Sequence, residues 1–193
     1  MSRTAGNKSA AREQLLHTAS RLFFERGFHA VGVDTIVAES GITKMTMYKH
    51  FPSKDHLIVE ILERSSEIYW DWFESVIQGI SEPQGQLTAI FDAVAKGHSN
   101  SPRSTYCLYQ NVAVEFPDPE HIANQAAVVH KQSIVNRLQA ICERAGLKSP
   151  DTLARQLFVL LEGFCISSRF FGADSPAADV VLAAKALVDM HRQ

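Results

Sequence analysis

Apolar residues recur every three or four positions along most of the chain, in segments separated by glycine and proline. This spacing is typical of helices that bury one face. It predicts long or medium helices over residues 9–26, 53–78, 87–97, 106–116, 120–144, 150–171 and 175–188. Pro83-Gln84-Gly85 is expected to interrupt the chain before the helix at residue 87. The sequence lacks alternating strand patterns and hairpin dipeptides, so it predicts an all-α protein.

Residues 33–51 predict two short helices folded about a glycine turn. Gly41 can adopt the left-handed conformation that ends the first of these helices without a Cβ clash. Thr43 is a natural N-cap for a second helix over residues 44–50. Apart from two methionines this second helix is polar and basic, and its Lys, Thr, Tyr and His side chains suit a DNA major groove.

The helix-turn-helix motif uses its second helix to read DNA in this way. Two amphipathic helices joined by a glycine also occur in proteins that never bind DNA. The spacing alone therefore leaves both interpretations open, and the residues around the turn have to decide between them.

A specific residue pattern surrounds the turn and covers roughly the first 60 residues. Its members are Arg12, Leu15, Leu16, Ala19, Leu22, Phe23, Gly27, Phe28, Ile36, Val37, Ala38, the run Gly41-Ile42-Thr43-Lys44 and the run TMYKHFPSKDHL at 46–57. In this pattern the chain resembles the TetR family of one-component transcriptional regulators. It departs from the family at Gly32, where Ser or Thr usually caps the helix, and at Met45, where a small residue is common.

The resemblance implies that residues 44–50 form a recognition helix. We expect side chains of this helix to face the groove of a double-stranded DNA operator, and neighbouring side chains to hold phosphates. Met45 could touch a thymine methyl group and shift the preferred operator sequence. The predicted DNA-binding residues are Thr35, Thr43, Lys44, Met45, Thr46, Tyr48, Lys49, His50 and Lys54.

Charge and helix length predict a division into two domains. Residues 1–54 hold eight Lys/Arg and four Asp/Glu, a net charge of +4, whereas the remainder holds 11 and 17, a net charge of −6. We expect a three-helix, helix-turn-helix DNA-binding domain over 1–54 and a larger helical effector-binding and dimerisation domain over 55–193. Residues 1–8 look like a flexible arm, either without contacts or entering the minor groove.

The larger domain is rich in aromatic side chains with polar groups among them. Such a mixture is typical of a pocket for a small ligand, and the resemblance implies an effector here, of unknown identity. The predicted lining residues are Trp72, Phe73, Tyr106, Cys107, Gln110, Phe158, Phe164 and Arg169. Aromatic residues at helical spacing can equally form an ordinary core. Cys107 also suggests a thiol sensor, although a lone cysteine on an apolar helix is usually inert packing.

The last two predicted helices are apolar around much of their circumference. Such helices must be covered on nearly every side, either by the core of one chain or by a second copy. The resemblance implies a homodimer through these two long helices, so that two recognition helices read a palindrome.

Catalytic motifs are missing: the sequence has no HExxH, GxSxG or Gly-rich phosphate loop, and its three cysteines lack zinc spacing. We therefore expect no cofactor, no metal site and no enzyme activity. No apolar run could cross a bilayer and the N-terminus lacks a signal core, which favours a cytoplasmic protein. The sequence predicts a homodimeric repressor released by an effector. The alternatives are a regulator without a ligand, an activator, or an all-helical enzyme with a basic N-terminal module.

Overall fold

The computed structural model describes the backbone of residues 3–100 and 108–192, with side chains over 10–97, 108–172 and 174–192. Among these residues the regular structure is helical without strands, which confirms the predicted all-α class. The helices are α1 (Arg3–Arg26), α2 (Val33–Ser40), α3 (Lys44–His50), α4 (Lys54–Ile77), α5 (Pro83–Asn100), α6 (Leu108–Glu115), α7 (Ile122–Arg144), α8 (Pro150–Phe171) and α9 (Ala177–Met190). No described helix is long and apolar enough to span a membrane.

Contacts divide the chain into two compact units. Unit 1 consists of Met1–Glu67 and Leu108–Val128, and unit 2 consists of Ile68–Cys107 and Val129–Gln193. The predicted boundary between residues 54 and 55 differs from this division. The reason is that the first turns of α4 carry apolar side chains that are buried with the N-terminal helices, and α6 joins the same unit.

Unit 1 is built around the three N-terminal helices. Their core consists of Leu15, Leu16, Ala19, Leu22, Phe23, Phe28, Ile36, Met47 and Phe51, with Leu57 and Ile58 from α4. The Gln14 side-chain amide donates to the Ser40 carbonyl at 2.7 Å, which ties α1 to the end of α2. The predicted arm over 1–8 differs from the structure, because α1 already begins at Arg3. The segment before Ser9 contains no proline, and extending an existing helix is easier than starting one.

Unit 2 has its own apolar core, formed mainly by α4, α5, α7, α8 and α9. The buried side chains are Phe73, Ile77, Leu87, Ile90, Phe91, Ile134, Leu138, Ile141, Cys142, Leu147, Leu153, Ala154, Leu157, Leu161, Phe164, Val180, Ala184 and Val188. These residues recur at the helical spacing that the sequence predicts. The large number of apolar contacts makes this core the main source of stability in unit 2.

Two helix starts in unit 2 differ from their prediction. Pro83 does not interrupt the chain but begins α5, where its missing amide and fixed φ suit the first helical turn. The Glu82 carboxylate supports this start by accepting from the Gln84 amide at 3.1 Å. Serine is among the preferred N-cap residues, so the sequence predicts that Ser149 caps α8, yet Ser149 has a φ of 47° and forms no side-chain cap.

Candidate nucleic-acid interface

The turn between α2 and α3 has the geometry that its residues predict. Gly41 has a φ of 67°, and its amide donates to the Val37 carbonyl at 3.1 Å, which closes α2. The Thr43 hydroxyl accepts from the Thr46 amide at 3.2 Å and caps α3. Both predictions are confirmed. They fix where α3 begins, and hence which of its side chains point outward.

Helix α3 has one buried face and one exposed face. Met47 is fully buried in the unit 1 core, so it anchors the helix. Met45 is 67% exposed and Tyr48 is 46% exposed, so both side chains face outward. Lys49 is also exposed. The exposed face therefore presents the mixture of cation, aromatic hydroxyl and apolar group that suits phosphates and base edges.

Lys44 begins α3 and pairs with an acidic side chain from α2. Its Nζ lies 2.8 Å from Oδ1 of Asp34. The hydrogen bond to Asp34 raises the pKa of the Lys44 ammonium. Lys44 is thus charged and exposed, but it meets a carboxylate that the sequence prediction did not consider.

Lys54 lies differently from its predicted place at a phosphate. Its Nζ donates to the Phe28 carbonyl at 2.6 Å, and the ammonium lies 5.9 Å from the centroid of the Phe23 ring. Burial lowers the pKa of this ammonium. The stem packs along apolar surface, and the charge reaches a main-chain acceptor. A phosphate contact would require Lys54 to give up that hydrogen bond.

The other predicted DNA-binding residues lie around the same turn. Thr35 is half-buried on α2, Thr43 is exposed at the N-cap, and Thr46 and His50 are half-buried on α3. The Thr43 and Thr46 hydroxyls lie 2.9 Å apart, so each is already engaged in the cap. Of the nine predicted DNA-binding residues, every one except Lys54 lies on or beside the exposed face of the motif. Their roles in DNA binding remain predictions.

Much of the positive charge of the N-terminal helices is paired within unit 1. Arg12 lies 2.6 Å from Glu60, and both Arg21 and Arg26 contact Glu39. Glu60 lies outside the first 54 residues, so their net charge counts Arg12 as an unpaired cation although it is paired. Among the described residues, Lys49 has no carboxylate within ion-pair distance.

Glu115, at the end of α6, makes hydrogen bonds within unit 1 that the sequence did not predict. Its carboxylate accepts from the Phe28 amide at 3.0 Å and from the His29 amide at 2.6 Å. The neighbouring Phe116 ring packs on both residues, with centroids 5.6 Å from Phe28 and 4.8 Å from the His29 ring. No local pattern predicts these hydrogen bonds, because Glu115 is 87 residues from Phe28 and 86 residues from His29 in the chain.

The predicted effector residues that the structure describes differ in their surroundings. Phe73 and Phe164 are packed in the unit 2 core, while Trp72 and Phe158 lie partly buried against it. Arg169 is exposed on α8. The remaining three are Gln110, which is half-buried on α6 of unit 1, and Tyr106 and Cys107, which lie outside the described residues.

An open hollow of about 710 Å³ lies where α4 ends. It is lined by residues between 71 and 86 together with Arg137, and most of these side chains are polar. None of the predicted effector residues belongs to this lining. Within the described part of the chain, no group of three His, Cys, Asp or Glu could hold a metal ion.

The comparisons with known proteins agree on one family of regulators. The model of bacterial regulatory proteins of the tetR family matches residues 15–61. The repressor KstR2 of Mycobacterium tuberculosis (strain H37Rv) is 30% identical over 103 residues, which cover 51% of this chain and 52% of KstR2. The activator FasR of Mycolicibacterium smegmatis is 28% identical over 157 residues, covering 81% of this chain and 69% of FasR. The chain thus spans about half the length of KstR2.

A solved structure extends the likeness to nearly the whole chain. The TetR-family transcriptional regulator SCO4454 from Streptomyces coelicolor superimposes with a TM-score of 0.89 at 26% identity. The superposition covers 96% of this chain and 97% of that structure. The helices of both units therefore follow the same fold as that regulator.

Proposed function

Because the chain belongs to the TetR family of transcriptional regulators, we propose that it is a homodimeric repressor that a small-molecule effector releases from a palindromic operator. The observation that carries this proposal is the two-faced helix α3. Met47 anchors it in the core, while Met45, Tyr48 and Lys49 are exposed beside a correctly capped turn. That arrangement supports insertion of α3 into a major groove.

The proposed contacts have distinct roles. Lys49 and the Tyr48 hydroxyl hold phosphates, which supplies affinity for DNA of any sequence. Met45 meets base edges, where its thioether side chain favours the methyl group of thymine. The two kinds of contact predict different consequences of substitution.

A homodimer is supported by the exposed apolar side chains of α8 and α9. They are Val159, Ile166, Phe170, Phe171, Leu182 and Met190. Large apolar patches on a single chain mark an interaction surface, and a second copy is the simplest cover for two neighbouring helices. Two α3 helices related by a two-fold axis would then read the two halves of a palindrome.

The effector is proposed to act in unit 2. Trp72 and Phe158 lie at the edge of its core, where a small apolar ligand could insert between them and the buried side chains. Helix α4 contributes residues to both units, so it is the natural element to carry the response. A coupling free energy of about 1 to 3 kcal/mol, or about 5- to 150-fold in operator affinity, is enough for such a switch.

The DNA-binding part of the proposal is tested by selecting an operator from random duplexes and measuring variants on it. We expect Tyr48→Ala to weaken binding to all duplexes, and Met45→Ala to change the preferred bases with a smaller loss of affinity. Lys49→Met should weaken binding and flatten the salt dependence. Lys96→Met, which removes an exposed cation from α5, is the matched control. If neither the Tyr48 nor the Met45 variant alters operator binding, α3 is not the recognition helix.

The dimer is tested by sedimentation of the wild type and of Phe170→Glu. The charge should split the dimer while each monomer keeps its helical content, because Phe170 is exposed in the single chain. Operator affinity should fall with the dimer. A wild type that sediments as a monomer at all concentrations would contradict this part of the proposal.

Activation is the second candidate, and one comparison favours it. The match to FasR, which is named an activator, extends over 81% of this chain, against 51% for the repressor KstR2. A reporter gene under the selected operator separates the two candidates. Repression predicts lower expression when the protein is present, whereas activation predicts higher expression.

A further inference from the structure

Asp34 and Lys44 form an ion pair on the outer surface of the helix-turn-helix motif. The Nζ–Oδ1 distance is 2.8 Å, and the two side chains are 85% and 53% exposed for Asp34 and Lys44 respectively. Lys44 is the first residue of α3, and Asp34 lies in the first turn of α2. The pair therefore joins the N-termini of the two helices of the motif.

Both ends of this pair lie on the side that approaches DNA. In a helix-turn-helix, the N-terminal residues of the recognition helix contact base edges, and the preceding helix crosses the phosphate backbone. The N-cap of α2 is Gly32, which offers no side-chain acceptor to its free amides. The Asp34 carboxylate thus lies beside two positive features, the Lys44 ammonium and the N-terminus of α2, that would otherwise attract phosphate.

The two kinds of DNA complex depend differently on such charges. Binding to DNA of arbitrary sequence rests almost wholly on contacts between cations and phosphates. Binding to an operator adds base contacts made by side chains held in place. A carboxylate that restrains a lysine makes that cation less available to phosphates on DNA of arbitrary sequence. On an operator, the same restraint orients the ammonium toward the bases.

We propose that Asp34 is a specificity-determining residue, which withholds Lys44 from phosphates on unrelated DNA and orients its ammonium toward base edges on the operator. This inference rests on the proposed role of α3 as the recognition helix. The negative charge of Asp34 repels DNA, and its proposed contribution is to weaken complexes with unrelated DNA.

The experiment compares Asp34→Asn with the wild type on the selected operator and on a duplex of scrambled sequence, by fluorescence anisotropy over a series of salt concentrations. We expect affinity for the scrambled duplex to rise by about 3- to 10-fold, with a log–log salt slope steeper by about 0.9, the value for one additional phosphate contact. Operator affinity should change less, so the ratio of operator affinity to scrambled-duplex affinity should fall.

Two matched variants make the result specific. In a Lys44→Met background, Asp34→Asn should strengthen binding to the scrambled duplex much less, because the restrained cation is gone and only the N-terminus of α2 is unmasked. Glu120→Gln removes an exposed carboxylate from unit 1 and should leave both affinities unchanged. Thermal unfolding of each variant reports whether the fold is retained.

Several outcomes overturn the proposal. Asp34 does not have the assigned role if Asp34→Asn weakens binding to the scrambled duplex, raises both affinities equally, or gives the same gain when Lys44 is methionine. A different failure belongs to the proposed function. If the wild type binds no selected duplex more tightly than the scrambled one, α3 does not read sequence, whatever the Asp34 variant does.

Discussion

Glu115 and His29 hold each other through two hydrogen bonds. The His29 amide donates to the Glu115 carboxylate at 2.6 Å, and the His29 ring Nε2 lies 2.6 Å from the Glu115 carbonyl oxygen. Because a carbonyl oxygen only accepts, Nε2 of His29 must carry the proton. The second carboxylate oxygen accepts from the Phe28 amide at 3.0 Å. One side chain of α6 therefore satisfies both amides of the corner between α1 and α2.

Removing the Glu115 carboxylate should destabilise this corner. Each hydrogen bond to a charged group contributes about 1.5 to 3 kcal/mol, and Glu115→Ala removes two, so it should lower the free energy of unfolding by at least about 1.5 to 3 kcal/mol. Glu115→Gln should cost less, since its amide oxygen can still accept one of the two bonds. Urea unfolding gives the free energies, and hydrogen exchange at the Phe28 and His29 amides locates the loss. Unchanged exchange at both amides would contradict the assignment.

Gly27 should tolerate alanine less well than Gly41. Both have positive φ, 82° and 67° respectively, so alanine is strained at either position by about 1 to 2 kcal/mol. A Cβ at Gly27 would also lie 3.0 Å from the Glu115 Oε1, whereas a Cβ at Gly41 would meet nothing within 4 Å. We expect Gly27→Ala to be the more destabilising in urea unfolding. In a Glu115→Ala background the difference between the two glycines should shrink.

Local signals in the sequence are enough to predict most helices and the turn of the motif. Gly41 ends α2 and Thr43 caps α3 because the chemistry of each lies within three or four residues of its partner. Pro83 shows the limit of such signals. A proline can end one segment or begin the next; in the structure Pro83 begins α5, and the Glu82 carboxylate accepts from the Gln84 amide.

Contacts between distant parts of the chain could not be predicted in this way. The sequence predicts Lys54 at a phosphate, whereas in the structure its ammonium donates to the Phe28 carbonyl, 26 residues away. The predicted effector residues are mostly aromatics at helical spacing, a pattern that core residues share. Phe73 is fully buried whereas its neighbour Trp72 is only partly buried, a difference set by tertiary packing.

Cys142 should be almost unreactive in the folded protein. It is buried in the unit 2 core, and burial raises the pKa of its thiol to about 11. At pH 8 only about one molecule in a thousand would carry the reactive thiolate, even with full access. Iodoacetamide labelling followed by mass spectrometry should therefore modify the half-buried Cys165 first. In urea both cysteines should react at similar rates. Equal labelling of the two in the folded protein would contradict the assigned burial.

His130 should make the protein less stable in mild acid. It is buried on α7 against the Tyr69 ring, and burial, with a smaller contribution from Lys131, lowers the pKa of its imidazole to about 4. The usual value is 6.5, so between pH 6.5 and 4 the unfolded chain binds a proton that the folded chain does not. The free energy of unfolding must then fall as the pH falls, by up to about 1.4 kcal/mol per pH unit.

The pH dependence separates this effect from packing. His130→Gln cannot titrate, so its stability should fall less steeply than that of the wild type between pH 6.5 and 4.5, whatever its stability at pH 8. His17→Gln, which alters an exposed histidine on α1, should follow the wild-type slope. Urea unfolding at several pH values gives these slopes. Parallel curves for the wild type and His130→Gln would mean that the imidazole is protonated alike in the folded and unfolded chains.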